Sequence, residues 1–222
     1  MLKQLNHFRH SLVSKLIITV GFTLLISISI WAYFNIRSQK IKMMENFVAG
    51  TNRLSATIKL GTHYSMMLNS RHEINEIIKN ISRLKEIENI RIYNKAGKIK
   101  FSNRPAELDV ATNIKAEACD ICHRSEPPLD NLDLPERTRI SYSPKGYRML
   151  GIIDPIYNEA GCSAGGCHIH PRDKKILGAL DVVISLEETD KAIFSIEKEM
   201  TILALFVFFI TSAIIFIFVL KF

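Results

Sequence analysis

All four cysteines of the chain lie in two short segments, and each segment ends in a histidine. Residues 119–123 read CDICH, and residues 162–168 read CSAGGCH. The cysteines and adjacent histidines are Cys119, Cys122, His123, Cys162, Cys167 and His168. Closely spaced thiols of this kind form disulfides, hold a metal ion or bond covalently to a cofactor.

The adjacent histidines favour covalent haem over the other two chemistries. A pair of disulfides leaves His123 and His168 without a role, and a Cys₄ zinc site does not need them. In C-x-x-C-H, the thiols bond to the porphyrin and the histidine ligates the iron. The longer second loop contains Gly165 and Gly166, which allow it to bulge. We therefore expect two covalently bound haem c groups, with disulfides and zinc as alternatives.

A small set of side chains could supply a second axial ligand to each iron. His7 and His10 precede the first apolar segment, which leaves His63 and His170 as the main candidates. His170 is too close to His168 in the chain to reach the opposite face of the same iron easily, but it could reach the other iron. The remaining options are His72, Met66, Met67 and Met149. An iron without a second ligand would be open to small gases.

Two nearly uncharged segments predict membrane-spanning helices, Leu16 to Phe34 and Ile202 to Leu220. Each has 19 residues, which as a helix spans close to the ~30 Å hydrocarbon layer. Trp31 lies at the end of the first, where interfacial rings are favoured. The alternative is a signal peptide and a buried core helix. The first segment is long for a signal peptide, and no A-x-A-like cleavage site follows it.

The expected organisation follows from the haem prediction, because basic residues flank the first segment equally and do not decide the orientation. C-type haem is attached outside the bacterial inner membrane, so we predict a two-pass protein with a periplasmic centre. The predicted regions are a cytoplasmic N-terminus at 1–15, membrane helices at 16–34 and 201–220, a periplasmic domain at 35–200, and a cytoplasmic end at 221–222. The net charge is +7, but basic and acidic residues interleave, so no nucleic-acid partner is expected.

The central region predicts an α+β fold, an antiparallel sheet of about five strands packed on a helix. Residues 37–84 lack proline and repeat apolar residues at helical intervals, which predicts a long helix with a break near Gly50 or Gly61. Alternation in residues 89–102 around Asn-Lys-Ala-Gly predicts a β-hairpin. Residues 103–136 contain four prolines and are expected to be irregular. Further strands are predicted at 138–143, 147–156 and 175–185.

This arrangement resembles the periplasmic haem-c sensor domains of bacterial membrane histidine kinases and chemoreceptors. The two Cys-His motifs, the hairpin IRIYNKAGKIKFSN and the strand LGALDVVISL carry the resemblance. It implies a PAS- or Cache-like antiparallel sheet with a long N-terminal helix, flanked by two transmembrane helices. In such receptors a HAMP linker and a kinase or methyl-accepting module follow the second helix. Because this sequence stops at Phe222, we expect either a truncated receptor or a protein that acts through a cytoplasmic signalling module or a redox partner protein.

The expected function is therefore a dihaem sensor in the inner membrane that detects redox state or a small haem ligand. An electron-transfer cytochrome that oxidises quinol or a partner protein is the alternative, and a zinc-stabilised ligand-binding Cache domain is the third. No nucleophile–base pair or phosphate loop in the sequence indicates an enzyme. A homodimer is expected if the apolar stripe of the long helix pairs with a copy of itself, although the stripe could equally cover the sheet.

Overall fold

The computed structural model describes residues 12–113, 115–126, 128–163, 170–171 and 173–221. They form two compact units. The first unit combines the N-terminal residues through Met44 with the residues from Thr189 onward, and the second unit is Glu45–Glu188.

The first unit consists of parts of two long helices, α1 (Leu12–Met67) and α4 (Glu187–Lys221). Both are long and apolar enough to cross a membrane, and their most apolar stretches are almost entirely exposed. Lys40 and Glu197 form an ion pair between them. Two exposed apolar helices of this length are consistent with the prediction of a membrane protein, since such a surface is unfavourable in water.

The second unit contains a five-stranded antiparallel sheet with the strand order β2-β1-β5-β4-β3. Its strands are β1 (Ile87–Asn94), β2 (Ile99–Ser102), β3 (Thr138–Tyr142), β4 (Arg148–Tyr157) and β5 (Ile176–Ser185). The predicted hairpin is β1–β2, and its turn contains Gly97 at φ +70°. The α+β class, the antiparallel sheet of about five strands and the long N-terminal helix are confirmed.

One face of the sheet packs against α1 and α2 (Arg71–Ile81). Even-numbered residues on the central strands point to this face, because side chains alternate along a strand. The buried core residues here are Ile58, Ile74, Ile78, Ile87, Ile90, Ile92, Leu180, Val182 and Ile184. Phe47, Leu54 and Met66 of α1 pack against the same cluster. The apolar stripe of the long helix therefore covers the sheet. This is the second of the two roles expected for the stripe, the first being to pair with a copy of itself.

The long helix does not break at a glycine. Gly50 and Gly61 both lie inside α1, and the break falls after Met67, where Asn69 has φ +53°. The predicted break position is wrong because one glycine costs a helix only about 1 kcal/mol, which packing of the neighbouring turns on the sheet offsets. Asparagine tolerates the left-handed conformation that ends a helix.

The other face of the sheet is covered by a segment that we expected to be irregular. It contains a short helix, α3 (Glu117–His123), and a 3₁₀ turn (Pro105–Glu107). Ala118 and Ile121 of α3 are buried in a second core cluster with Tyr93, Ile99, Leu132 and Ile153. The expectation fails at α3 because this stretch lacks proline and its apolar residues recur at helical spacing.

Candidate functional site

Two cavities lie at the end of the sheet where β1 and β4 finish and β5 begins. Tyr93, Asn94 and Gly178 line both of them. One cavity contains residues of the CDICH segment and is called the first-motif cavity. The other contains Cys162 and is called the second-motif cavity. Cys119, Cys122, His123 and Cys162 are thus brought to the same end of one sheet.

The first-motif cavity has a volume of about 270 Å³. Cys119, Cys122 and His123, all on α3, contribute to its lining. Apolar walls come from the sheet face opposite α1, including Ile153 and Ala179. The helix therefore presents both thiols and the adjacent imidazole of its motif to one apolar cavity.

The thiols of this cavity are free and half-buried. Burial raises the pKa of the Cys119 thiol, and the negative charge of Asp181 raises it further. Burial also raises the pKa of Cys122. Both sulfurs are therefore protonated at neutral pH, and this apolar setting suits an uncharged sulfur better than a thiolate.

The second-motif cavity lies on the α1 face of the sheet and has a volume of about 260 Å³. Cys162 lines it from the 3₁₀ turn Ala160–Ser163, and His170 lines it as well. Cys167 and His168, the remaining residues of this motif, lie outside the described residues. Ile92 and Ile156 of the sheet form part of an apolar floor of this cavity.

The last turns of α1 form a wall of the second-motif cavity with His63, Met66 and Met67. A Cβ atom on Gly161 would lie 3.2 Å from Cε of Met67, so the turn that carries Cys162 packs directly against α1. Nε2 of His63 lies 3.8 Å from Oε2 of Glu159. Four of the candidate axial ligands, His63, His170, Met66 and Met67, therefore meet at one cavity.

The other candidate ligands are placed differently. His72 is exposed on α2, and Met149 lies near the start of β4, the opposite end of that strand from both cavities. The backbone N–H of His170 donates to the carbonyl of Cys162 at 3.3 Å. His170 thus lies beside its own motif, in the cavity of Cys162 rather than that of Cys119.

The positions of the cysteines disfavour a Cys₄ zinc site. Such a site needs four thiolates around one ion. Cys119 and Cys122 line a cavity on one face of the sheet, whereas Cys162 lines a cavity on the other. Among the described residues, no group of three or more His, Cys, Asp or Glu side chains is arranged to hold a metal ion.

A buried carboxylate lies on the face of the sheet that carries α3. Asp181 is fully buried on β5, where Nη2 of Arg139 donates to its Oδ2 at 2.9 Å and Nη1 of Arg91 lies 3.6 Å away. The guanidinium of Arg139 lies over Gly151, where a Cβ atom would come within 2.5 Å of it. Arg91 also donates twice to Glu107, at 2.8 and 2.7 Å. This network joins β1, β3 and β5.

A second buried carboxylate ties α1 to the sheet. Asp154 on β4 accepts hydrogen bonds from Nζ of Lys59 at 2.8 Å and from Oγ of Ser55 at 3.3 Å. Nη1 of Arg137 lies 3.3 Å from the same carboxylate, and Nη2 of Arg137 donates to Oδ1 of Asn52 at 3.2 Å. These contacts fix the part of α1 that directly precedes His63.

Sequence reasoning missed both carboxylates. A signal for Asp181 was present, because it is the one charged residue in the apolar strand ILGALDVVIS. A charge at such a position requires a buried partner. Its partners Arg91 and Arg139 lie on different strands, and the sequence does not reveal them.

Comparison of the sequence with protein families and with curated proteins gives no match. Solved structures with a similar arrangement include a domain of a sensory box/GGDEF family protein from Vibrio parahaemolyticus, with a TM-score of 0.48 and 11% identity over 77% of this chain. The periplasmic domain of RsbU from Chlamydia trachomatis has a TM-score of 0.37 and 13% identity over 74% of this chain. An extracellular ligand-binding receptor from Desulfohalobium retbaense has a TM-score of 0.33 and 10% identity over 66% of this chain.

The matched regions cover 64%, 59% and 25% of those three chains, respectively, less than two thirds of each. All three TM-scores are below 0.5. Function must therefore be argued from the residues of this chain.

Proposed function

We propose that this chain is a membrane-anchored periplasmic sensor domain that carries two covalent haem c groups, one in each motif cavity. The observation that supports this most directly is the first-motif cavity. There one short helix presents Cys119, Cys122 and His123 together to an apolar space. Thioether bonds are uncharged and suit this space, and the adjacent imidazole is the ligand that the C-x-x-C-H motif supplies to iron.

The described residues fit such a group at the first-motif cavity, and at the second-motif cavity the described residue of the motif is Cys162. Cys119 and Cys122 would attach one haem and His123 would ligate it, and Cys162, Cys167 and His168 would do the same for the other. Each cavity is slightly smaller than the ~300–1,000 Å³ of ligand pockets in general, so it would receive part of a macrocycle and leave the rest exposed. Bound haem would supply a reversible one-electron change and an exchangeable axial position.

The role as a sensor is supported by the helix that borders the second-motif cavity. His63, Met66 and Met67 lie on the last turns of α1, and the same helix contains the apolar segment from Leu16 to Phe34. A side chain of α1 that ligates in one redox state and not in the other would give the two states different preferred helix positions. Such differential affinity is what biases a two-state switch.

The test is the mass and spectrum of the protein after secretion from cells that attach c-type haem. We expect an increment of about 1.2 kDa for two groups and a pyridine haemochrome spectrum of the thioether type. A variant with Cys119→Ser and Cys122→Ser should lose half of both signals. A mature wild-type polypeptide without added mass would refute the proposal.

An electron-transfer cytochrome is the second candidate, and one observation favours it. Tyr93, Asn94 and Gly178 line both cavities, so the same residues of the sheet would border a redox group held in either cavity. Stopped-flow mixing with a quinol distinguishes the two functions. Rapid turnover of both haems indicates a carrier, whereas a redox-dependent conformational change without turnover indicates a sensor.

A further inference from the structure

The two ends of the second-motif cavity differ in chemistry. Its lining crosses four neighbouring strands, from Lys100 on β2 through Ile92 and Gly178 to Ile156 on β4. Adjacent strands are about 4.8 Å apart, so the three intervals span about 14 Å. The cavity is therefore an elongated slot that runs across the sheet.

The β4 end of the slot carries the sulfur and imidazole groups. Gly161 and Cys162 lie on the 3₁₀ turn Ala160–Ser163, which comes a few residues after the end of β4, and Met67 packs against Gly161. Apolar side chains occupy the middle, where Ile92 and Ile156 rise from the sheet. This part of the slot suits a flat apolar ring system.

The β2 end of the slot is cationic. Lys100 lines it from β2, and Arg71 lines it from the start of α2, which packs beside β2. Nζ of Lys100 donates to Oδ1 of Asp109 at 2.6 Å. Lys100, and then the charges of Lys98 and Arg71, lower the pKa of Asp109. Arg71 and Lys100 line this end of the slot, and no aspartate or glutamate is among its described lining residues.

We propose that Arg71 and Lys100 bind the two carboxylates of the macrocycle that is attached through Cys162. This inference rests on the proposed function. A protohaem carries its thioether-forming vinyl groups on one part of the ring and its two propionates on the opposite edge. The slot has the same polarity, with Cys162 at the β4 end and two cations at the β2 end. An arginine can bind a carboxylate through two parallel hydrogen bonds, and a lysine acts as a point charge.

The test uses a chain in which Cys162→Ser and Cys167→Ser prevent covalent attachment at this cavity. Protoporphyrin IX and its dimethyl ester differ only in their two carboxylates, and their binding is followed by porphyrin fluorescence. Neither probe contains iron, so axial ligation does not contribute. We expect the free acid to bind about tenfold more tightly than the ester, the scale of one or two partly exposed charge pairs.

Replacement of both cations, Arg71→Gln with Lys100→Gln, should bring the acid-to-ester ratio close to one. The matched control is Lys79→Gln with Arg83→Gln, which removes the same charge from exposed positions outside the slot and should leave the ratio unchanged. Arg71→Lys keeps the charge and should retain most of the preference. Circular dichroism of each variant verifies that the fold is retained.

An unchanged acid-to-ester ratio in the Arg71/Lys100 variant would overturn the inference, and so would the absence of porphyrin binding to the parent chain. Failure of the proposed function has a different signature. In that case the wild-type protein lacks the added mass, while the free acid can still bind more tightly than its ester through Arg71 and Lys100.

Discussion

The two motif cavities lie at the same end of one sheet but are built differently. In the first, α3 carries Cys119, Cys122 and His123 and packs onto the sheet through its own buried residues. In the second, Cys162 lies on a 3₁₀ turn, and part of the wall belongs to α1. The geometry of the first cavity is therefore set within the core of the domain. The geometry of the second also depends on the position of the long helix.

The buried carboxylates follow the same division. Asp181 joins strands of the sheet on the first-motif face, whereas Asp154 joins the sheet to α1 on the second-motif face. We infer that the first-motif cavity is the rigid one and that the second-motif cavity is the one coupled to α1. Four experiments test this comparison, beginning with the largest expected effect.

Removal of either cysteine pair should eliminate one haem and leave the other in place. The variants are Cys119→Ser with Cys122→Ser, and Cys162→Ser with Cys167→Ser. Each should lose about 0.6 kDa of attached mass, because the two motifs line separate cavities. Intact-mass spectrometry measures the loss. If either pair of substitutions abolished both attachments, the cavities would not be independent.

Substitution of the two buried carboxylates should lower the free energy of unfolding by different amounts. Asp181→Asn removes the buried carboxylate that Arg139 and Arg91 share, although Arg91 keeps its hydrogen bonds to Glu107, and should lower the free energy of unfolding by about 3–5 kcal/mol. Asp154→Asn should cost about 2–3 kcal/mol, because Lys59 is partly exposed and can be hydrated. Chemical denaturation measures both changes, with the exposed Asp173→Asn as control.

Amide hydrogen exchange shows where in the domain each of these two substitutions acts. Asp154→Asn should increase amide exchange most strongly in α1, from Asn52 to His63, because it releases the helix from β4. Asp181→Asn should instead increase exchange in β1, β3 and β5. Equal increases across the domain in both variants would contradict the division between a rigid and a coupled cavity.

Replacement of His63 should alter the second haem alone. If His63 ligates this iron, His63→Ala converts one of two haems from a low-spin to a high-spin spectrum, because the sixth ligand is lost. His72→Ala is the matched control, since His72 is exposed on α2. Magnetic circular dichroism counts the haems in each spin state. Unchanged spectra would exclude His63 as the ligand.

Low pH should lower the stability of the fold through protonation of Glu107, which lies on the first-motif face of the sheet. Hydrogen bonds from Arg91 lower the pKa of Glu107 from 4.5 to about 2. Because the folded pKa lies below the unfolded value, this contribution to stability is complete above pH 4.5 and is lost as the pH falls towards 2. Glu107 is partly exposed, so screening reduces the effect to about 1–2 kcal/mol.

The matching experiment follows the free energy of unfolding between pH 6 and pH 3, a range chosen around the two pKa values. Glu107→Gln should flatten part of the decline. A decline of the same steepness in Glu107→Gln would show that other carboxylates control the acid response.

Much of the fold could be predicted from local pattern. The strands and the hairpin follow from residues that alternate along a few consecutive positions, and the two apolar helices follow from runs of uncharged residues. The same reasoning placed the helix break at a glycine and missed α3. At Gly50 and Gly61 the packing of neighbouring turns of α1 on the sheet outweighed the local preference. At α3 the helical spacing of Ala118 and Ile121 was present in the sequence but was overlooked among the surrounding prolines.

By itself the sequence determined which residues could do chemistry, because the spacing of cysteines and histidines is a property of neighbouring positions. Only the tertiary structure decided which side chains share a cavity. The strand order β2-β1-β5-β4-β3 brings Lys100 and Arg71 to the slot that contains Cys162, and it brings Arg91 and Arg139 to Asp181. These partners are far apart in the chain, and their proximity depends on how strands pair and helices pack, which no local pattern encodes.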